Sequence, residues 1–288
     1  MLFTPRMSAQ AGRVACYARF CRNLSSEGTL IQSHFKDGVQ RITLNSPQTR
    51  NALSLEMMTG LRKSLAEAHA NTQVRAIVLS GHGPAFSAGH NLKEMTTEDG
   101  IEKHREIFHC CNELMFDIVR GESPVIAVVD GIAAAAGCQV VAMCDIVLAT
   151  ERSQFSTPGS SFGVFCSTPG IPLARAVPRK VASYMLLTGK AINAQEALRA
   201  GLVSKVVPEA DLETEVEATC QAIIEKPRAI VTLGKRFFHQ QLEMGLSPAF
   251  ERGGGVMVDN LKYKDAQEGI SAFKEKRKPT YSHTSEKI

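Results

Sequence analysis

Two stretches of small residues, each set after an apolar strand-like run, have the composition of an anion-stabilising site. The first, Phe86-Ser-Ala-Gly-His-Asn-Leu-Lys-Glu94, follows Ala76–Ser80, and the second, Gly131-Ile-Ala-Ala-Ala-Ala-Gly-Cys-Gln139, follows Val125–Val129. Residues without bulk let another group approach main-chain N–H donors. A helix expected to begin near Ala136-Gly137 adds positive partial charge at the same point. Together the two turns could form an oxyanion hole, in which N–H groups hold the negative oxygen of a reacting carbonyl. The alternative, for either turn alone, is that small residues merely permit close helix–strand packing.

Alternating strands and helices must position these turns. Val39–Leu44 alternates like a strand and is broken by Asn45-Ser-Pro47. Ser54 is placed to cap a helix from about Leu55 to His69, with Leu55, Met58, Leu61, Leu65 and Ala68 near one face. A strand at Ala76–Ser80, a polar loop through Asn91 and a helix from about Glu98 to Ile118 follow. Val125–Val129, a helix through Met143 and a strand at Asp145–Ala149 repeat the pattern, and Gln154-Phe-Ser156 precedes a Gly/Ser/Pro-rich loop. Short strands separated by crossovers favour α/β architecture. Beyond Pro169 the reading is mostly helical, with Ala194–Ala200 closed by Gly201, a strand at Ser204–Val207 and a helix from about Glu209. Lys226-Pro227 marks a boundary, after which 228–276 reads as helix after helix that must cover its apolar faces on the core or another subunit. No internal sequence repeat is evident.

The 288 residues, 44% hydrophobic and 22% charged, suit one large core with an appendage. No apolar run approaches the ~18 residues of a membrane span. Arg6, Arg13, Arg19 and Arg22 all precede the first acidic residue, Glu27. Such an acid-free leader looks like a mitochondrial transit peptide, assigned to 1–27 with cleavage expected between about Cys21 and Gly28, the alternative being a cytosolic tail. Without it the remainder is nearly neutral, and charge gives no support for nucleic-acid binding. The eight cysteines lack any C-x-x-C spacing and the eight histidines lack metal-ligand spacing, so neither a disulfide framework nor a metal site is implied.

Ordered stretches along the chain carry a family likeness: Asn45-Ser-Pro47 with Arg50-Asn-Ala-Leu53, Pro84–Glu94, Pro124–Gly131 leading through Gly137-Cys138 to Cys144-Asp145, Glu196-Ala197 with Gly201–Val203, and Glu268–Phe273 with Lys276–Lys278. Over about Gly38 to Tyr281 the sequence resembles the enoyl-CoA hydratase/isomerase (crotonase) superfamily. The resemblance implies an α/β spiral of ββα units over 28–226 and a C-terminal helical region, 227–288, that drives a homotrimer or dimer of trimers. It implies an acyl-CoA thioester as substrate or ligand and no other cofactor, while the acid-free leader and the scattered cysteines fit a mitochondrial matrix location. It carries the oxyanion-hole roles onto the backbone N–H groups of His90 and Ala136, and thioester or CoA contacts onto Arg50, Ala88, Asn91, Leu92, Lys93 and Gly137. Lys276, Arg277 and Lys278 are further phosphate candidates, and each of these three, like Arg50 and Lys93, is alternatively a solvated charge.

The family's hydratases activate water with two glutamates; this sequence has Gln139 and Gly159 at those positions. An amide has no useful proton-accepting capacity and glycine no side chain, so both acid–base roles are vacant. His90 is a substitute if its imidazole reaches the pocket, and not if only its N–H does. Cys166 is a nucleophile only with an adjacent base and is otherwise a small buried hydrophobe. Asp145 reads as structural. Alanines at 135 and 136, where hydratases commonly have glycine, restrict positive φ. Three functions stay open: an enzyme of other crotonase chemistry such as decarboxylation, a non-catalytic acyl-CoA-binding regulator of lipid metabolism, or weak hydratase or isomerase activity. Restoring both carboxylates, Gln139→Glu with Gly159→Glu, is expected to raise hydration more than either substitution alone.

Overall fold

The computed structural model describes residues 29–288; the leader assigned to 1–27 lies outside the described residues. The chain enters through a hairpin, β1 (Ile31–Lys36) and β2 (Val39–Leu44), paired antiparallel from Ile31 opposite Leu44 to Lys36 opposite Val39. Its two-residue turn, Asp37-Gly38, places both residues at positive φ, 49° and 84°. This is the Asp-Gly turn that matches strand twist. The β1 strand was not expected from the sequence, because its half-exposed residues show no clean alternation.

From β2 the sheet grows in parallel through β3 (Ala76–Gly81), β5 (Val125–Val129), β7 (Ile146–Thr150) and β10 (Lys205–Val207), in the order β1-β2-β3-β5-β7-β10. A second sheet holds β4 (Ala85–Ser87), β6 (Ile132–Ala134) and β8 (Gln154–Ser156) in parallel, with β9 (Ile192–Asn193) antiparallel at its edge. β3, β5 and β7 of the first sheet each turn a corner into a short strand of the second, and a helix follows. The helices are α2 (Gly100–Arg120) after β4, α3 (Ala136–Met143) after β6 and α4 (Ser167–Ala176) after β8. These are the ββα units the resemblance implies, and the fold is the crotonase spiral. The repeat lies in the backbone path and not in residue identity. Both candidate turns thus contain a short strand where the sequence predicts loop, since three residues are too few to display a period.

The remaining helices are α1 (Leu55–Ala70), α5 (Arg179–Thr188), α6 (Ala194–Ala200), α7 (Leu212–Ile224), α8 (Arg228–Gln241), α9 (Leu246–Asn260) and α10 (Lys264–Glu275). Ser54 caps α1 as expected, its Oγ accepting from Met57 N at 3.1 Å, and Gly201 closes α6 at φ 83°. Alternate residues of the central strands face opposite ways, and both faces are covered. Ile77, Leu79, Val125, Ala127 and Val129 join α1, α2 and α3 in one core, while Ala76, Val78, Ile126 and Val128 meet Leu212, Val216, Cys220 and Ile224 of α7 in another.

Asp145 binds α8 to this core. Its carboxylate accepts from Val125 N at 2.7 Å and meets Lys235 Nζ at 2.7 Å and His239 Nε2 at 2.9 Å. Lys235 also donates to the carbonyls of Ile118 and Ser123, so its buried ammonium is fully satisfied. The structural reading of Asp145 holds. In contrast, α9 has no buried residue, and Leu246, Phe250, Met257 and Val258 lie open. Leu242, Phe250 and Phe238 are exposed, and Phe237 is half-buried. Among the described residues no helix is long and apolar enough to cross a membrane.

Candidate oxyanion site

The two small-residue turns meet at the C-terminal ends of the parallel strands. Gly89, at φ 93°, lies so close to the second turn that a Cβ there would stand 2.7 Å from Ala135 Cβ, 2.9 Å from Ala134 O and 3.1 Å from Ala136 N. Only glycine permits that approach. Gly137 is equally tight against Ser87, whose carbonyl would be 2.6 Å from a Cβ at 137. At Gly137 the close-packing alternative therefore applies: the residue is buried against β4.

Hydrogen bonding leaves N–H groups free in each turn. In the first, Ala88 N donates to Arg50 O at 2.9 Å, Gly89 N to Ser87 Oγ at 3.1 Å and Asn91 N to Leu53 O at 3.4 Å. Among the described residues the N–H of His90, between them, has no acceptor. In the second, Ala135 N donates to Ser156 O at 2.9 Å and Gln139 N to Ala135 O at 3.0 Å, while among the described residues the N–H groups of Ala136, Gly137 and Cys138, the first turn of α3, have no acceptor. Ala135 makes this possible by adopting φ 48°, ψ −118°, a conformation that favours glycine and strains alanine.

The segment 50–53 clamps the first turn. Besides the bonds to Arg50 and Leu53, Ser87 Oγ donates to Asn51 O at 2.8 Å, and Leu53 N donates to Gly89 O at 2.7 Å. Asn51 is itself buried, donating to His82 O and Ala85 O and accepting from Ser46 N. Ser87 and Asn51 are positioning residues that lie within the quoted motifs. Ser87 alone carries a signal, a polar side chain inside the apolar Ala85–Ala88, and Asn51 does not stand out by residue type.

The imidazole of His90 packs edge-on against Phe108 of α2, ring centroids 5.3 Å apart, and both ring nitrogens are buried without a hydrogen-bond partner. Burial holds it below the ordinary histidine value, and the nearby Leu53 backbone and Glu94 carboxylate only partly oppose this. The ring is neutral at physiological pH.

Gln139, on α3, is buried, with Cys111 Sγ 4.0 Å from its Oε1. Desolvation pushes the Cys111 thiol up to about 12, so the amide faces a neutral group. Gly159, in the 3-10 turn Pro158–Phe162, is closed off: a Cβ there would lie 2.2 Å from Val164 O and 2.7 Å from Cys166 Sγ. The backbone at Val164 therefore opposes the Gly159→Glu restoration. Cys166 fills the position, accepting from Gly159 N at 3.2 Å, and burial raises its thiol above the ordinary value with no base beside it. It has the setting of a packing residue.

Around the turns, Arg50, Ala88, Leu92 and Lys93 are exposed, and neither cation has an ion pair among the described residues. Asn91 caps the turn Leu92–Glu94 through its Oδ1. Of the distal candidates, Arg277 is occupied by Glu268 at 2.6 and 2.8 Å and by Glu275, while Lys276 and Lys278 are exposed. Among the described residues no group of three or more His, Cys, Asp or Glu is arranged to hold a metal ion.

A family model described as enoyl-CoA hydratase/isomerase matches residues 34–284. Enoyl-CoA hydratase domain-containing protein 3, mitochondrial, from Rattus norvegicus is 48% identical over 258 residues, covering 90% of this chain and 86% of its own. The Homo sapiens protein of that name is 48% identical over 273 residues, covering 92% and 90%. The human protein's crystal structure superposes with a TM-score of 0.86, covering 88% of this chain and all of its own. A Mycobacterium smegmatis enoyl-CoA hydratase structure, 44% identical, gives the same TM-score over 89% of this chain and 100% of that one.

Proposed function

This chain belongs to the enoyl-CoA hydratase/isomerase family, and from that premise we propose that it binds an acyl-CoA thioester on the N–H groups of His90 and Ala136 without the acid–base pair of a hydratase. The observation that carries the reading is the pairing of two acceptor-free N–H groups on adjoining turns. A thioester carbonyl gains negative charge as it becomes enolate-like, and preorganised donors stabilise that oxygen; losing one typically costs about 3–4 kcal/mol. The short helix α3 points its N-terminus at the same place. Exposed Arg50 and Lys93 suit the CoA phosphates.

Proton transfer is what the site lacks. Gln139 can orient a water but not deprotonate it, Gly159 has no side chain and no room for one, and His90 faces an aromatic ring. The protein is mitochondrial, as the names of its relatives say of them. Its role lies in acyl-CoA and fatty-acid metabolism as a thioester-binding protein, not an efficient enoyl-CoA hydratase.

Purified mature protein, assayed for binding and turnover on a panel of acyl-CoA thioesters, tests this. Saturable binding with crotonyl-CoA hydration slower than a typical hydratase by ~10²-fold or more per missing group is expected. Hydration at ordinary enzyme rates, abolished when the pocket is blocked, would overturn the reading. Turnover of a malonyl-type thioester would instead assign decarboxylation, which needs enolate stabilisation but no strong base.

A further inference from the structure

A cavity of about 910 Å³ opens at the other end of the large sheet, between the β1–β2 turn, the segment leading into β3, α8 and the C-terminal residues 282–285. Asp37 and Gly38 precede β2, Thr72 to Arg75 precede β3 and Glu122 precedes β5, whereas the oxyanion turns follow the far ends of β3 and β5. The two sites are therefore separated by the length of the parallel strands.

The ionisable groups lining the cavity are Asp37, Arg75, Glu122, Arg228, Arg236 and His283, together with Tyr263. Both carboxylates are already engaged: Glu122 accepts from Arg228 Nη2 at 2.8 Å, and exposed Asp37 faces Lys36 at 4.0 Å. Arg75 and Arg236 have no carboxylate partner among the described residues, although Arg75 is half-buried. Arg75 Nη1 donates to Ile224 O at 2.7 Å and stands 3.2 Å from His283 Nε2. With Nε2 accepting, the imidazole proton sits on Nδ1, which is buried and has no hydrogen-bond partner. A half-buried guanidinium without an anion and a buried imidazole N–H without an acceptor thus share one cavity.

The C-terminal wall is fixed. Buried Asp265 accepts from Ser282 N at 2.7 Å, Ser282 Oγ at 2.9 Å and His283 N at 2.8 Å, which holds His283 at φ 57° over Arg75. Gly38 leaves the room that Arg75 uses, since a Cβ there would stand 2.8 Å from its Nε. Cavities of roughly this volume take small molecules, and guanidinium forks match phosphate and carboxylate alike.

We propose that this cavity is a second ligand site, for a small multiply charged anion held through phosphate or carboxylate oxygens by Arg75 and Arg236. Calorimetric titration of the purified assembly with pyrophosphate and with citrate, at constant ionic strength set by chloride, tests it. At least one anion is expected to bind, with affinity falling tenfold or more in both Arg75→Gln and Arg236→Gln. The exposed Arg236 has no hydrogen-bond or ion-pair partner to lose among the described residues, so its variant retains the fold. Pyrophosphate binding alone assigns a phosphate site, and citrate binding alone a carboxylate site. Failure of both anions to bind, unchanged affinity in the variants, or displacement of the bound anion by coenzyme A would each overturn the proposal.

Discussion

A side chain at Gly159 would have to displace the Val164 carbonyl, a backbone atom 2.2 Å from where its Cβ would stand. Overpacking of this kind costs roughly 1–3 kcal/mol even for one methyl group. Gly159→Ala is therefore expected to lower the melting temperature by several degrees in thermal unfolding, and adding Gly159→Glu to Gln139→Glu should give no further gain in crotonyl-CoA hydration. A gain would show that the turn Pro158–Phe162 opens and that the acid–base site is recoverable. Ala135 is the converse case, a side chain where the backbone at φ 48° and ψ −118° favours none. Strain at such positions is about 1–3 kcal/mol and the entropy advantage of alanine in the unfolded chain under about 1 kcal/mol. Ala135→Gly should thus stabilise the protein by about 1 kcal/mol in denaturant unfolding while leaving the Ala136 N–H free. A loss of stability would mean that the Ala135 methyl earns its place by packing on Gly89.

At the scale of elements, the ends of α1 and α8 meet around two groups whose protonation opposes folding. His69, in the last turn of α1, accepts from Ser123 N at Nδ1 and has a buried, unpartnered Nε2, and Gly121 leaves room for the ring. Burial, reinforced by Lys235, lowers it from 6.5 to about 4. An imidazole neutral in the fold and protonated in the unfolded chain costs stability as pH falls from 6.5 to 4, by up to about 3 kcal/mol. Burial opposes ionisation of Asp145, but His239 and Lys235 outweigh it and hold the carboxyl below its ordinary value. Its contribution is present above the ordinary carboxylate range and is lost as pH falls through the folded-state value. Urea midpoints should therefore decline from pH 7 to 4 and fall further in stronger acid. His69→Gln, which can accept from Ser123 but does not titrate, should flatten the first decline; an unchanged slope would remove His69 from the account.

For the whole molecule, the open surface of α9 and the end of α8 bears on assembly. Phe250 is 75% exposed, Leu246 77% and Met257 62%, on a helix with no buried residue at all. A helix this exposed gains little from its own chain, and closed symmetry would cover it. Light scattering on the mature protein should give a multiple of three subunits, as expected for a homotrimer or dimer of trimers. Phe250→Glu with Met257→Glu should shift the mass toward the single chain. A stable monomer at micromolar concentration for the unmodified protein would refute the assembly.

Local chemistry made much of this legible in the sequence. Ser54 and Gly201 mark helix ends because their hydrogen bonds close within a few residues, and the apolar runs of β3, β5 and β7 are long enough to show themselves. The amide at 139 and the glycine at 159 declare by residue type alone that no carboxylate is offered there. What depended on distant partners stayed hidden. The three-residue strands of the second sheet carry no period, and the ββα repeat resides in the path of the backbone. That His90 keeps a free N–H follows from Arg50, Leu53 and Ser87 taking those around it, bonds that only the folded chain brings together. The sealing of Gly159 by Val164 and Cys166, and the carboxylate-free arginine beside His283, are likewise consequences of shape. Residue type sets which groups a chain can offer; the tertiary structure decided which of them are left unpaired, because pairing is settled by neighbours in space.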